Sequence, residues 1–522
     1  MSVSAASDFP HRNFNFNFFI VLFVILLLPT CTRVPESRQL NLVLYGDPSS
    51  LDPAFATDVR TGQVCAVLYD NLVRFGRGTE LIPSIAKSWG IDSTGTLYHF
   101  DLRSDVQFTD GTPLRANHVK WAFQRLMDLE TQSHRTWLFQ NVLGVGEFQS
   151  GDTNEIIGFR AKDDSTFSIQ LTEPFAPFIG FLAMPSASIV SEDKDGNLMG
   201  TGPWILTQWV HDGHLLFERN DQYFDGAPIL EKLKIRVLPE ALPRSAEFIT
   251  GYLDIMEIPE PEYDLWADDP EWALYIHLKD ELNTYYIGLN CSRPPFDDVR
   301  VRQAVNYALD IPAIIQAVNH GKGTLAAGPV PPGLLHGVSP EPYGYGPEES
   351  RKLLREAGFE NGLDVELWQG QAPELMLITE AIQAQLAEVG VHVKIIRNDW
   401  NMFSQAVVQG KPDMYYRSWW ADYPDAENFL APLFDSGVSL KRWTRYTNPQ
   451  LDEIILGLQT ETNEDLRQKI AIHANQILHD DAPWIYLWHS QTATIVSPKL
   501  QGWQPSLMFN AEKYTRVGKR VE

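Results

Sequence analysis

The residues best suited to chemistry are gathered in one stretch, WWADYPDAENFL, at positions 419–430. Aromatic rings stand here beside the carboxylate of Asp422, directly after a strand-like segment at 414–416. A carboxylate supplies charge for a ligand ammonium group, and aromatic faces supply apolar cover and cation–π attraction. The alternative is a packed turn whose aspartate caps the next helix, and for Asp425 capping is the favoured interpretation.

Further aromatic residues accompany this stretch in two other segments. Trp400 lies in DWNMF at 399–403, and a tyrosine pair lies in the strand-like NTYYIGLN at 283–290. Because strand side chains alternate between faces, one tyrosine should face a cleft and the other the core. For Trp400, core packing is the alternative. The candidate ligand-binding residues are Asp422, Trp419, Trp420, Trp400, Tyr285 and Tyr286.

Motifs for catalysis or metal binding are missing from the sequence. It holds no Gly-x-Ser-x-Gly, no His-Glu-x-x-His and no Walker-A loop. His211 and His214 flank an Asp-Gly turn, which indicates an exposed hairpin, and the loop at 193–197 lacks the glutamate of a calcium site. The 67 acidic residues make chance carboxylate pairs common, so no hydrolytic pair is assignable. We therefore predict a binding protein without a catalytic residue, metal or cofactor.

Length and charge limit the class of protein. A chain of 522 residues exceeds what one core supports, so two or three lobes are expected. The net charge of −25 argues against nucleic acid as a partner, because phosphate binding needs a basic surface. We interpret this acidity as a well-solvated surface.

The N-terminus is predicted to carry a targeting signal. Residues 18–28 form an unbroken apolar run, which is short for a membrane span and typical of the core of a signal peptide. The run ends in LPTC at 28–31, which resembles a bacterial lipobox and makes Cys31 a candidate for lipidation. Ordinary secretion and an uncleaved anchor are the alternatives, and all three place the folded part outside the cytoplasm. Cys65 and Cys291 could then pair, although two buried free thiols are the favoured interpretation.

The pattern of elements predicts how these residues are held. Alternation at 40–45 indicates a strand, and 205–209 with 215–218 indicates a hairpin. Two helix–strand units follow in the second half, each with a glycine at the end of its helix: 348–357 with 363–368, and 380–388 with 391–396. Such alternation predicts an α/β lobe with a partly parallel sheet.

One segment, TLYHFDLRSDVQFTDGTPLRANHVKWAFQRLM at 96–127, links these elements to a known family. Its alternating strand, short strand at 106–108, Asp-Gly turn and amphipathic helix resemble the signature of the peptide-type solute-binding proteins of ABC importers. SLDP at 50–53 and GTGPW at 200–204 resemble further landmarks of that family, and the similarity runs from about residue 40 to about 515.

The resemblance implies an α/β, two-lobed periplasmic-binding-protein (Venus-flytrap) fold with an extra domain in the first lobe and discontinuous lobes joined by hinge strands. In such binders the Asp of this turn pairs with a peptide ammonium group, which maps onto Asp422, and the Trp at position 400 lines the pocket. The arginine that receives a peptide carboxylate in some members is Val407 here, and Arg417 is one position off another basic site, so recognition of a C-terminus is in doubt.

The expected organisation follows from the same resemblance. The predicted segments are a signal peptide at 1–30, a tether at 31–39, a first lobe at 40–282 with a subdomain near 75–180, a second lobe at 283–498 and a return to the first lobe at 499–522. The expected function is capture of a peptide-like or other small amine-bearing solute by lobe closure and delivery to an ABC permease, by a monomer anchored through Cys31. A secreted carboxylate-dependent hydrolase and a ligand sensor of the same fold are the alternatives.

Overall fold

The computed structural model describes residues 38–437 and 443–520, so the predicted signal peptide and Cys31 lie outside the described part of the chain. In chain order the strands are β1 Gln39–Leu44, β2 Val73–Phe75, β3 Leu81–Pro83, β4 Ala86–Ile91, β5 Leu97–Leu102, β6 Phe159–Ala161, β7 Thr166–Gln170, β8 Ser191–Glu192, β9 Leu198–Met199, β10 Trp204–Val210, β11 His214–Arg219, β12 Lys232–Val237, β13 Ile255–Glu257, β14 Ile276–Asp280, β15 Asn283–Leu289, β16 Thr324–Leu325, β17 Leu363–Gln369, β18 Val391–Arg397, β19 Met414–Trp420, β20 Trp484–His489, β21 Gln491–Val496, β22 Leu500–Gln501 and β23 Gly518–Lys519. The α-helices are α1 Val59–Leu68, α2 Ala116–Met127, α3 Val145–Gln149, α4 Phe178–Phe181, α5 Ala241–Ile249, α6 Tyr263–Ala267, α7 Val299–Tyr307, α8 Ile311–Val318, α9 Pro347–Glu356, α10 Pro373–Glu388, α11 Trp400–Val408, α12 Glu427–Phe434, α13 Pro449–Thr460 and α14 Glu464–Asp481.

The first sheet orders its strands β1-β12-β11-β10. β1 runs parallel to β12 with Leu40 opposite Leu233, and both of these side chains are buried. β10 and β11 form the predicted antiparallel hairpin. The alternation of apolar and polar residues in β1 therefore gives the sheet one core face and one outer face.

A second four-stranded sheet, β4-β5-β7-β6, holds the strand and helix of the signature segment. Phe123 of α2 is buried against Phe139, with ring centroids 4.6 Å apart. The strand predicted at 106–108 is instead an isolated bridge between Gln107 and Pro113. The ladder does not continue through Pro113 because proline has no backbone N–H to donate.

The largest sheet orders its strands β16-β20-β15-β19-β17-β18. β17 lies parallel to β18 and to β19, whereas β15 pairs antiparallel with β19 and β20. The prediction of a partly parallel sheet beside helices is thus confirmed. Buried apolar residues of α7, α8 and α10, such as Val301, Ile314 and Ile382, share one core with Ile287 of β15.

Two strand pairs run from the largest sheet into the three-stranded sheet β13-β21-β14. β14 leads into β15, and β20 leads into β21. We call the two connecting segments, 280–283 and 489–491, the hinge ribbon. Its backbone is fixed by a 2.9 Å bond from Glu281 N to Ser490 O and a 2.9 Å bond from Ser490 N to the Asn283 side chain.

The C-terminal segment packs against residues from the start of the chain. The Lys513 ammonium group lies 2.9 Å from the Asp70 carboxylate, and both side chains are buried. Lys513 also donates to the carbonyls of Ala66 and Tyr69. Burial lowers the pKa of Lys513, and the nearby Asp70 opposes that shift. A charged contact therefore joins the end of the chain to the C-terminus of α1.

Candidate functional site

The candidate ligand-binding turn is the segment 420–424, between β19 and α12. Ala421 N donates to Leu282 O at 2.9 Å, so the turn is bonded to the hinge ribbon. Asp422 N donates to the Asn428 side chain at 3.0 Å, and Asn428 lies in α12. The backbone of the turn is therefore held at Ala421 by the hinge ribbon and at Asp422 by α12.

The two aspartates of this turn region have different surroundings. Asp425 accepts a 2.6 Å bond from Arg467 and a 2.9 Å bond from Glu427 N, so it bonds the first residue of α12 from one position before the N-cap, Ala426. Asp422 is partly exposed, and no residue in 38–437 or 443–520 forms a hydrogen bond or ion pair with its carboxylate. A charge so placed favours a cationic partner from outside the chain.

Glu427 is hydrogen-bonded to Tyr423 of the turn, and the sequence analysis did not select it. Its carboxylate accepts hydrogen bonds from Tyr423 and, at 2.8 Å, from Gln459. Burial raises the pKa of Glu427 to about 7, although these two hydrogen bonds oppose the shift. A glutamate at the first position of a helix is ordinary, so no sequence signal distinguishes it from a surface residue.

Among the described residues, two cavities flank the turn. One of about 470 Å³ is lined by Tyr423, Pro424 and Asp425, beside the paired Arg467. The other, of about 340 Å³, is lined by Trp420 and Ala421 on one side and by residues of β1, α1 and the C-terminal segment on the other. The smaller of the two is the candidate ligand cavity, because Trp420 and Ala421, the residues directly before Asp422, line it, whereas the carboxylate at the larger one is already neutralised by Arg467.

Acidic groups line the smaller cavity. Glu257, Glu281 and Glu512 all border it, together with Tyr45. Burial raises the pKa of Glu257, and the neighbouring Glu281 adds to the shift while a hydrogen bond from Tyr45 opposes it. Lys279 lies 2.8 Å from Glu281 and partly neutralises the group. These residues come from segments with no recognisable motif, and the sequence analysis did not select them.

Trp400 and Trp419 are linked in space by Arg417 and Trp443. The sequence analysis placed Arg417 one position off a basic site and did not select Trp443. Trp400 is 62% exposed at the start of α11. The Arg417 guanidinium lies 5.0 Å from the Trp400 ring centroid and 4.0 Å from that of Trp443. Trp443 in turn lies 6.4 Å from Trp419. The Arg417 guanidinium thus lies against the rings of Trp400 and Trp443, and Trp443 also contacts Trp419.

The tyrosine pair of β15 is packed on both faces of the largest sheet. Tyr286 is fully buried and stacks on Trp484 with centroids 3.5 Å apart. Tyr285 is partly buried and stacks on Trp488 at 5.5 Å. Neither tyrosine borders the 340 Å³ cavity in this structure. Alternation along β15 therefore separates the two rings as expected, with Tyr286 in the core.

The described residues offer no metal site: among 38–437 and 443–520 no group of three or more histidine, cysteine or acidic side chains could hold a metal ion. The same residues include no helix that is both long and apolar enough to cross a membrane. Cys65 and Cys291 are both free thiols. Burial raises the pKa of Cys291 to about 12, so it stays protonated at neutral pH.

The fold and the site together define a class of protein. Two lobes connected by a hinge ribbon are typical of a two-lobed solute-binding protein; Trp420 borders the 340 Å³ cavity, and the Asp422 carboxylate has no partner among the described residues. Residues 80–440 match the family described as bacterial extracellular solute-binding proteins, family 5 Middle, and the chain belongs to that family. It is the extracytoplasmic solute-binding component of an ABC importer and not an enzyme, which confirms the expected solute-binding role and the expected two-lobed α/β fold.

Named relatives support this assignment. The chain is 30% identical over 470 residues to the heme-binding protein A of Haemophilus influenzae, covering 84% of each chain. It is 29% identical over 506 residues to the dipeptide-binding protein of Escherichia coli K12, covering 90% of this chain and 93% of that one. The solved structure of HbpA2 from Haemophilus parasuis aligns with a TM-score of 0.81 at 27% identity, over 92% of this chain and all of the other.

Proposed function

We propose that this protein captures a short peptide or a similar solute with a free ammonium group, held by Asp422, and delivers it to an ABC permease. One observation carries the proposal: the Asp422 carboxylate has no partner in the described part of the chain, whereas Asp425 is paired with Arg467 at 2.6 Å. The names of the relatives, which include a dipeptide-binding protein, support a peptide-like solute.

Closure of the two lobes would complete the site. In this proposal the first lobe comprises 40–282, with a subdomain near 75–180, the second comprises 283–498, and 499–522 return to the first. Trp419, Trp420, Trp400 and the tyrosines at 285 and 286 belong to the second lobe. The 340 Å³ cavity brings Trp420 opposite first-lobe residues. A solute that contacts both sides shifts the population toward the closed form, which the permease recognises.

Anchoring is part of the same proposal. A lipid on Cys31 and a tether of 31–39 would hold a monomer at the outer face of the membrane after removal of residues 1–30. The Cys31→Ser variant tests this: we expect it to leave the membrane fraction and appear in the soluble fraction. Retention of C31S in the membrane would contradict a lipid anchor at this residue.

The test of the ligand site is binding by Asp422→Asn. Tripeptide pools with free termini and with acetylated N-termini are added to the purified protein, and affinity is measured by calorimetry. We expect D422N to bind the free pool about 10- to 100-fold more weakly, because a charge-assisted bond contributes about 1.5–3 kcal/mol. N-acetylation should weaken binding to the wild type similarly and have little effect on D422N.

A matched control is the Asp425→Asn variant, since Asp425 lies three positions away and is bonded to Arg467. D425N should lose stability and keep its preference for the free ammonium group. Equal binding of free and acetylated pools by the wild type would refute the assignment of Asp422.

A further inference from the structure

A group of polar residues that follows β13 contacts the loop that precedes β16. The Lys322 ammonium group lies 2.6 Å from the Glu260 carboxylate and 3.8 Å from the ring centroid of Tyr263. His320 Nδ1 lies 2.6 Å from the Asp264 carboxylate. We call these five residues the polar latch. In the proposed division of the chain the first three positions, at 260–264, belong to the first lobe and those at 320 and 322 to the second, so the latch joins the two lobes.

Lys322 is the central residue of the polar latch. Its side chain is 4% exposed, whereas that of Glu260 is 49% exposed. An ammonium group removed from water depends on the groups that replace the water, which here are one carboxylate and one aromatic face. In the described part of the chain no second carboxylate pairs with Lys322. Both groups come from the other lobe, so a movement of the lobes at this point makes or breaks the whole contact.

The loop that carries His320 and Lys322 is attached to the hinge ribbon. Gly323 N donates to the Gln491 side chain at 3.2 Å, and Gln491 in turn donates to the Asp280 carboxylate at 2.7 Å. His320 and Gly323 have positive φ angles of 52° and 135°, so the chain turns sharply on both sides of Lys322. The position of Lys322 therefore follows the bend of the hinge ribbon.

The polar latch and the ligand turn lie on opposite sides of the hinge ribbon. The strand order β16-β20-β15-β19 places β16, which directly follows the latch loop, beside β20. It places β19, which leads into the ligand turn, beside β15. In the three-stranded sheet β13 likewise lies beside β21, the strand that continues β20. Trp420, the last residue of β19, borders the 340 Å³ cavity. A rotation that brings the lobes together at the ligand turn therefore separates them at the latch.

We infer that the polar latch holds the cleft open and thereby lowers the affinity of the protein for its solute. This inference rests on the proposed function and deepens it, because it assigns the balance between open and closed forms to residues outside the ligand site. The apparent affinity falls in proportion to the fraction of protein that is closed, and each contact made only in the open form lowers that fraction. Removal of the latch should therefore tighten binding, although none of its residues borders the 340 Å³ cavity.

The test measures the shape and the affinity of Lys322→Met, which keeps an apolar side chain against Tyr263 and leaves Glu260 in contact with solvent. Small-angle X-ray scattering without added solute should give a smaller radius of gyration for K322M than for the wild type. Calorimetry with the tripeptide pool that has free termini should show about 5- to 20-fold tighter binding by K322M. Lys352→Met is the matched control, because Lys352 pairs with Glu349 within α9, and it should behave like the wild type.

A second variant, Glu260→Gln, separates the effect of the latch from a general effect of substitution. E260Q and K322M weaken the same contact, so the double variant should bind no more tightly than K322M alone. Additive effects of the two substitutions would show that they act separately and would overturn the inference. Thermal unfolding without solute checks the folding of each variant. If K322M is less stable than the wild type, E260Q carries the comparison, because Glu260 is half exposed.

The two remaining outcomes are also decisive. An unchanged radius of gyration with unchanged affinity, or a larger radius with weaker binding, would show that the polar latch does not hold the cleft open. Failure of the tripeptide pool to bind the wild type would refute the proposed function instead. The scattering comparison uses no solute, so it would still decide whether the latch keeps the lobes apart.

Discussion

Replacement of Glu427 by glutamine should stabilise the protein at alkaline pH and leave it little changed at acid pH. Glu427 is only 3% exposed, and burial raises its pKa from 4.5 to about 7. The folded chain therefore binds this proton more tightly than the unfolded chain does. The contribution of Glu427 is favourable below pH 4.5 and is lost as the pH rises from 4.5 to 7.

The size of the effect follows from the shift in pKa. The pKa rises from 4.5 to about 7, and each pKa unit is about 1.36 kcal/mol. The free energy of unfolding therefore falls by about 3 kcal/mol between pH 4.5 and pH 8. Glutamine keeps the hydrogen bonds without the charge, because its oxygen accepts from Gln459 and its amide donates to the Tyr423 hydroxyl oxygen. For a lobe of about 200 residues, a change of about 3 kcal/mol in the free energy of unfolding shifts the unfolding temperature by roughly 6–12 °C.

The assay is thermal unfolding of wild type and E427Q at intervals from pH 4.5 to 8.5. We expect the two unfolding temperatures to agree near pH 4.5 and to diverge above it, with E427Q the more stable. Glu464→Gln is the matched control, because Glu464 is exposed at the start of α14. Parallel pH profiles for wild type and E427Q, or a loss of stability in E427Q at pH 8, would refute the reasoning.

Three further predictions concern the hinge, the C-terminal contact and the thiols. Burial lowers the pKa of His489 to about 4. Its stabilising contribution is therefore complete above pH 6.5 and is lost as the pH falls towards 4. The unfolding temperature of His489→Gln should accordingly fall less steeply with decreasing pH than that of the wild type. Lys513→Met leaves Asp70 buried and unpaired, so chemical denaturation should show about 3–5 kcal/mol lower stability, with partial recovery when Asp70→Asn is added. Cys65 and Cys291 should both be alkylated in the denatured chain without reductant, and mass spectrometry that finds neither labelled would contradict free thiols.

Much of the fold could be predicted from the sequence, because the local patterns of apolar residues agree with the tertiary packing. The alternation in β1, the hairpin of β10 and β11 and the two glycine-terminated helices α9 and α10 each combined a clear periodicity with a turn residue. The predicted strand at 106–108 failed at a single position, where Pro113 stands opposite Gln107. The partner of a strand is not identified by the strand's own residues, so the early end of the hydrogen-bonded pairing here could not be predicted.

The site was less accessible from the sequence, since its properties depend on distant contacts. Asp422 and Asp425 are two carboxylates in the same short segment, and only the position of Arg467 in α14 shows that one of them is neutralised. Likewise, the enclosure of Arg417 depends on Trp400 and Trp443, which approach it from α11 and from the segment before α13. Whether a charged side chain is paired depends on neighbours in three dimensions, and a sequence motif does not show these neighbours.

The contact between Lys513 and Asp70 has a consequence for the order in which the molecule is assembled. During synthesis the chain between β15 and β20 emerges complete, and its six-stranded sheet needs no residue beyond His489. The buried Asp70, by contrast, forms its ion pair with Lys513, which only nine residues follow in the sequence. An ion pair of the N-terminal part of the chain therefore forms only after nearly the whole chain has been synthesised, so this part gains its full stability later than the six-stranded sheet does.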